Sequence, residues 1–275
     1  MEHIDFGLIE PIKLNYHLEF YFVSFKRLHF KLEDKFLNLI LIFLITIFIK
    51  NSVYEWSRDH RVHHKYSETD ADPHNANRGF FFSHMGWLML KKHPDVIKKG
   101  SQIPLNDLLS DPVVYYQHKF YKPLAIFFCF IMPTLFPYYF WNESLINAYF
   151  ISGLLRYVIT LHATWLVNSV AHMWGYKPYD KRITPVENIL VSIGAIGEGF
   201  HNFHHTFPRD YATSEFGWVW FNFTKGFIDF MALIGQVYDR NKTSQEAVNQ
   251  RRLKTGDQSL IDHSHSNHHL HEHDY

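Results

Sequence analysis

From Pro123 to Trp141 the chain runs for 19 residues without a charged side chain (PLAIFFCFIMPTLFPYYFW), and after three residues a second apolar stretch extends from Leu145 to Val167. A helix needs about 20 apolar residues to cross the hydrocarbon of a bilayer. Lipid offers no hydrogen bonds to an open backbone, so each stretch must be helical. Two spans at about 123–141 and 145–167 are therefore predicted, closed into a hairpin by Asn142-Glu143-Ser144. The sequon in that turn lies too near the bilayer to serve glycosylation. Arg156 and His162 interrupt the second stretch, and the arginine is expected to snorkel or pair rather than to react. Phe36 to Ile49 is strongly apolar but only 14 residues long, which suits a buried or interfacial helix better than a span.

Charge sets the expected orientation. Lys91, Lys92, Lys98, Lys99, Lys119 and Lys122 precede the hairpin and Lys177, Lys181 and Arg182 follow it, while its turn holds no basic residue. Both flanks are then expected on the cytosolic side. The 27 basic and 27 acidic residues balance to a formal charge of +0, which argues against a polyanion partner such as nucleic acid. Aromatic residues make up 18% of the chain, a proportion suited to lipid-facing and tunnel-lining surfaces. The one cysteine, Cys129, excludes an intrachain disulfide and any cysteine-built metal site. Met1 to Pro11 carries acidic residues and lacks a cleavable secretory pattern.

Two clusters, His60-Arg61-Val62-His63-His64 and His201-Asn202-Phe203-His204-His205, repeat the pattern H-x-x-H-H about 140 positions apart, one on each side of the hairpin. Helical positions i, i+3 and i+4 share a face, so each cluster aims three imidazoles the same way. One such triplet is unsurprising among 21 histidines; two on the same side of a membrane ask for a metal. His172 stands just beyond the second span, four residues after Asn168. Imidazole suits iron, copper and zinc. Seven histidines and an amide exceed a tetrahedral zinc site, and calcium or magnesium would need carboxylates, so a dinuclear iron centre is the simplest arrangement. Asp59, Asp72 and Glu198 are candidates to orient these ligands, on charge and proximity. The histidines of the tail from Gly256 onward (His263, His265, His268, His269, His271, His273) lack any apolar period and belong to a polar, disordered extension.

The stretch from Asn51 through the first cluster to Asp72-Pro73-His74, with Arg78-Gly79-Phe80-Phe81-Phe82-Ser83-His84, resembles the second histidine box of membrane acyl-CoA delta-9 desaturases of the stearoyl-CoA type. Gly197-Glu198-Gly199-Phe200 with the second cluster and Thr206-Phe207-Pro208 resembles the third box. The likeness runs from about Asn51 to Gly256.

That resemblance implies an all-α fold: a membrane-embedded helical hairpin bearing a cytosolic helical cap with a histidine-rich diiron site, in the endoplasmic reticulum membrane. By position, His60, His63, His64, His172, His201, His204 and His205 match metal ligands, and Asn168 matches a residue reaching one metal through water. Asn51, Arg58 and Asp59 match polar groups near the acyl thioester, Lys91 and Lys92 match basic residues facing coenzyme A, and Trp56 and Trp165 match walls of an acyl tunnel. A solvated membrane-proximal patch is an equal account of the lysines, and an interfacial anchor an alternative for Trp165. The implied reaction inserts a cis double bond at the delta-9 position of a saturated acyl-CoA, with two iron ions (Fe2+), dioxygen and electrons from cytochrome b5 and its NADH-dependent reductase. Alternatives are a catalytically impaired, truncated membrane protein of this type and a diiron lipid hydroxylase.

The chain departs from the pattern at its start. The family's first box, H-x-x-x-x-H, would fall at Val23 and Leu28, neither a ligand, and His17 and His29 do not reproduce its spacing. The expected organisation is an atypical segment 1–35 in place of the first hairpin and box, a desaturase domain 36–255 and the tail 256–275.

Overall fold

The computed structural model describes residues 51–216, 222–235, 237 and 240–259. The expectations for 1–35, for the helix at Phe36–Ile49 and for the tail beyond residue 259 lie outside them. Among the described residues the fold is helical, and its β content is two isolated bridges, Tyr176 to Glu187 and Glu187 to Phe200.

Helix α1 (Val53–Tyr66) carries the first histidine cluster. Its start is fixed by a capping box: Ser52 Oγ accepts the Glu55 N–H, and the Glu55 carboxylate accepts the Ser52 N–H. Short helices α2 (Phe80–His84), α3 (Pro94–Gly100), α4 (Asn106–Leu109) and α5 (Pro112–Lys119) follow, α3 and α5 each opening on a proline that suits a first turn. Two long helices come next, α6 (Tyr121–Phe140) and α7 (Leu145–Met173). Only 11% and 17% of their most apolar windows are buried, so they are not core helices of a water-soluble fold but present apolar surface suited to lipid. Helix α7 continues six residues past the apolar stretch ending at Val167 and so delivers His172 to the cap.

The hairpin is not a pair of regular helices. Phe127–Ile131 in α6 and Tyr149–Leu155 in α7 are π-helical, and they face each other. Such turns leave backbone carbonyls without their usual partner. Arg156 donates from Nε to Ser152 O at 2.9 Å and from a terminal nitrogen to Cys129 O across the hairpin. It is thus paired with backbone carbonyls, as lipid-embedded cations must be. Gly153 is buried where the spans meet, and a Cβ there would lie 3.1 Å from Thr134 Oγ1.

After α7 the chain forms α8 (Ile189–Gly194), α9 (His201–Thr206), α10 (Phe223–Leu233) and α11 (Gln245–Thr255). Three apolar clusters back the three histidine-bearing elements. Val53 of α1 packs with Leu108, Val114, Tyr211, Ile228 and Met231. Ala171 of α7 packs with Val191 and Ala195. Phe203 of α9 packs with Tyr179 and with Val248 of α11. Each of these elements is therefore held from behind, with its imidazoles facing inward.

Candidate metal centre

The two histidine clusters meet. Ligand nitrogens of His63, His172, His201 and His205 form one group and those of His60, His64 and His204 another, each within 4.8 Å of one another. In the first, His172 Nε2 lies 2.9 Å from His201 Nε2, which lies 3.1 Å from His205 Nε2. In the second, His64 Nε2 lies 3.1 Å from His60 Nε2 and 2.8 Å from His204 Nε2. Two imidazole nitrogens bound at about 2.1 Å and at right angles to one ion lie ~3.0 Å apart, against ~3.4 Å for tetrahedral neighbours. These contacts are as close as nitrogens that share one ion.

Tautomers support the same reading. His63 Nδ1 lies 2.9 and 3.0 Å from the two oxygens of Asp72, and His172 Nδ1 lies 2.8 Å from Glu68 Oε1. A carboxylate accepts, so each Nδ1 carries the proton and each Nε2 keeps its lone pair toward the centre. His63 Nε2 is buried without a hydrogen-bond partner. A buried lone pair so placed is costly unless something electrophilic meets it, and a metal ion fits. Burial, with the imidazoles of His64, His201, His63 and His172 crowded around it, drives His205 well below its ordinary pKa and keeps it in the ligating neutral form. Burial would raise the Asp72 carboxyl, but the adjacent His63 outweighs it and holds it low, ionised and able to accept.

Local sequence explains these positions. In α1, His60, His63 and His64 follow the i, i+3, i+4 spacing on a 14-residue helix. Helix α9 is only six residues long, and its approach depends on Gly199. A Cβ there would meet Ser192 N at 2.2 Å and Asn188 O at 2.3 Å, so no other residue lets the chain pass. Ser169 interrupts the last turns of α7 (φ −113°, ψ −74°), and its Oγ lies 3.0 Å from the buried His84 Nδ1.

The other expected site residues are distributed as follows. Asn168 is half-buried at the break in α7, four residues before His172. Trp56 stacks on His60 with ring centroids 4.4 Å apart. The Asp59 carboxylate is engaged by Arg58 Nε at 2.9 Å and by Lys92 Nζ at 2.5 Å, so it belongs to a charged cluster beside the centre rather than orienting an imidazole. Lys91 is exposed next to it, and Asn51 is half-buried just before α1. Trp165 is buried edge-on to His84 and His162. Glu198 is half-buried three residues before His201, its N–H donated to Ala195 O at 3.2 Å, and burial pushes its carboxyl up to about 7.

Glu68 escaped the sequence reading, as did His74, which lies 3.5 Å from Asp72 and is pushed down to about 3 chiefly by burial. The signal for Glu68 was weak: an acid four residues after His64, just past the helix end, in a backbone conformation (φ 61°) that no pattern announces.

Comparison with known proteins gives the family. The sequence profile of the fatty acid desaturases matches residues 27–223. Stearoyl-CoA desaturase 5 of Bos taurus is 60% identical over 210 residues, covering 76% of this chain and 62% of the relative. Stearoyl-CoA desaturase of Homo sapiens is 57% identical over 221 residues (80% and 61%), and acyl-CoA desaturase of Cyprinus carpio 60% identical over 210 (76% and 64%). The matched region thus spans somewhat over three fifths of each of these relatives. With its paired histidine clusters and two apolar helices, the chain belongs to the fatty acid desaturase family.

Proposed function

We propose that this chain is an acyl-CoA desaturase that inserts a cis double bond at the delta-9 position of a saturated acyl chain. The observation that carries the reading is the convergence of seven imidazoles from α1, α7 and α9 into two groups of ligand nitrogens, in a chain similar to stearoyl-CoA desaturases. Two iron ions held there would supply the dioxygen-dependent removal of hydrogen from unactivated methylenes, which no side-chain acid or base achieves. His63, His172, His201 and His205 would hold one ion and His60, His64 and His204 the other, and Asn168 would reach one of them through water. Trp56, stacked on His60, would wall the acyl chain beside the centre. Trp165 would bound the tunnel from α7. Arg58, Asp59 and Asn51 would orient the thioester end, and Lys91 and Lys92 would meet the phosphates of coenzyme A, Lys92 exchanging its pairing with Asp59 for the ligand's charge.

Electrons would come from cytochrome b5 and its NADH-dependent reductase, with the hairpin in the endoplasmic reticulum membrane and the cap in the cytosol. The basic flanks of the hairpin support that orientation. Val23 and Leu28, neither able to ligate a metal, stand where the family's first histidine box would fall, and this favours a second reading, a membrane protein of the family with impaired catalysis. Expression in yeast lacking its own delta-9 desaturase separates the two. Growth without added oleate, with delta-9 monoenes in the lipids, is the outcome expected of the first reading. Normal expression without growth supports the second, and hydroxylated lipid would point to oxygen insertion instead.

A further inference from the structure

We propose that the two metal positions are unequal: the one formed by His63, His172, His201 and His205 is built in advance by Glu68 and Asp72, fills first and holds its ion more tightly. The inference rests on the reading of these histidines as metal ligands and goes beyond it to the order of filling and to two residues outside the ligand set.

Composition is the first reason. One position offers four imidazoles, the other three, among the described residues. The four come from α1, α7 and α9, so an ion there ties three elements together, whereas His60, His64 and His204 come from α1 and α9 alone. Three of the first four (His63, His172, His201) are buried and His205 is half-buried, whereas of the second three only His204 is buried.

Preorganisation is the second reason. The loop after α1 is closed by its own hydrogen bonds, none of which needs an ion. Asp72 accepts the Glu68 N–H at 2.9 Å and the His74 N–H at 3.1 Å. Glu68 accepts the Asn77 N–H at 3.1 Å on Oε2 and the Asn77 side-chain amide at 3.0 Å on its carbonyl. Asn75 donates to Thr69 O at 2.9 Å. This loop presents Glu68 to His172 on α7 and Asp72 to His63 on α1, so one ten-residue segment sets the ring orientation of two ligands on two helices. Glu68 is a positioning residue: it acts on an ion only through the His172 ring.

The test uses the full chain, purified in detergent, stripped with a chelator and titrated anaerobically with Fe2+ against a chromophoric competitor. Co2+ is titrated in parallel, because its visible spectrum reports coordination number. Two resolved steps are expected. Glu68→Gln and Asp72→Asn, which keep side-chain size, should weaken the first step by about 10–100-fold and leave the second in place. His60→Ala should abolish the second step and spare the first. Two indistinguishable steps, or a second step weakened alone by Glu68→Gln, would overturn the inequality while leaving the ligand reading standing. Failure of the parent chain to bind either metal would overturn the ligand reading itself.

Discussion

In each H-x-x-H-H cluster the intervening residues turn out to be as determined as the histidines. Arg61 is buried and grips Asp107 with two nitrogens, at 3.0 and 2.7 Å, and Val62 is buried beside it. Asn202 is fully buried: its side-chain oxygen accepts the N–H groups of Tyr179 and Asp180, and its nitrogen donates to the carbonyls of Asp180 and Pro185. Phe203 fills the core against Tyr179 and Val248. The histidine face is therefore the front of a helix whose back is bolted to the cap. Asn202→Ala would strand four buried backbone groups at roughly 1–3 kcal/mol each before relaxation. It should lower the thermal midpoint in detergent more than His205→Ala does, although it removes no ligand. His204→Ala, made in a desaturating background, should abolish product and lower bound iron; full activity with two irons would sink its assignment. At this scale the histidines were legible because identity and spacing alone declare them. Glu68 was not, because it reaches His172 through a left-handed turn and a contact 104 residues away in sequence.

Among elements, the two spans were legible to within a few residues, since a long uncharged run has few other outcomes. Their irregularity was not. Nothing in a run of Phe, Ile and Leu distinguishes a π-turn from an α-turn, and the pairing of Arg156 with Cys129 O depends on where the two helices cross. Gly153 permits that crossing. Gly153→Leu should push the spans apart, break the Arg156 contact and lower the thermal midpoint in detergent, whereas Gly153→Ala needs only a few tenths of an ångström from Thr134. A Leu variant as stable as the parent would show that the crossing tolerates bulk.

For the whole molecule, the loop between α7 and α8 links cap stability to pH. Glu187 bridges Tyr176 and Phe200, its Oε1 accepts the Phe203 N–H at 2.7 Å, and its Oε2 is buried without a partner. Burial pushes its carboxyl from an ordinary 4.5 up to about 8. The folded chain then holds this proton more tightly than the unfolded chain, so stability is greatest below the ordinary value and falls as pH rises through the window up to about 8. Melting curves across that range should show the decline, and Glu187→Gln, which keeps an acceptor for Phe203, should flatten it. An unchanged slope would mean the carboxyl finds solvent or a cation. The all-helical plan was legible because lipid and the histidine spacing both demand helices. The packing clusters behind the histidines were not, since those behind α1 and α9 join residues from distant parts of the chain and the third depends on how α8 folds back on α7.

Helix α7 begins in exposed apolar surface and ends at the buried His172, so with the proposed ion bound it is a lever with one arm in each medium. A bilayer thicker or thinner than its apolar length would tilt such a rod. The irregular step at Ser169 is the joint in that lever, and His84 braces it. If the joint absorbs tilt below it, the four-imidazole position should keep its ion in membranes of differing thickness, while a variant that straightens the joint would make iron retention depend on lipid chain length.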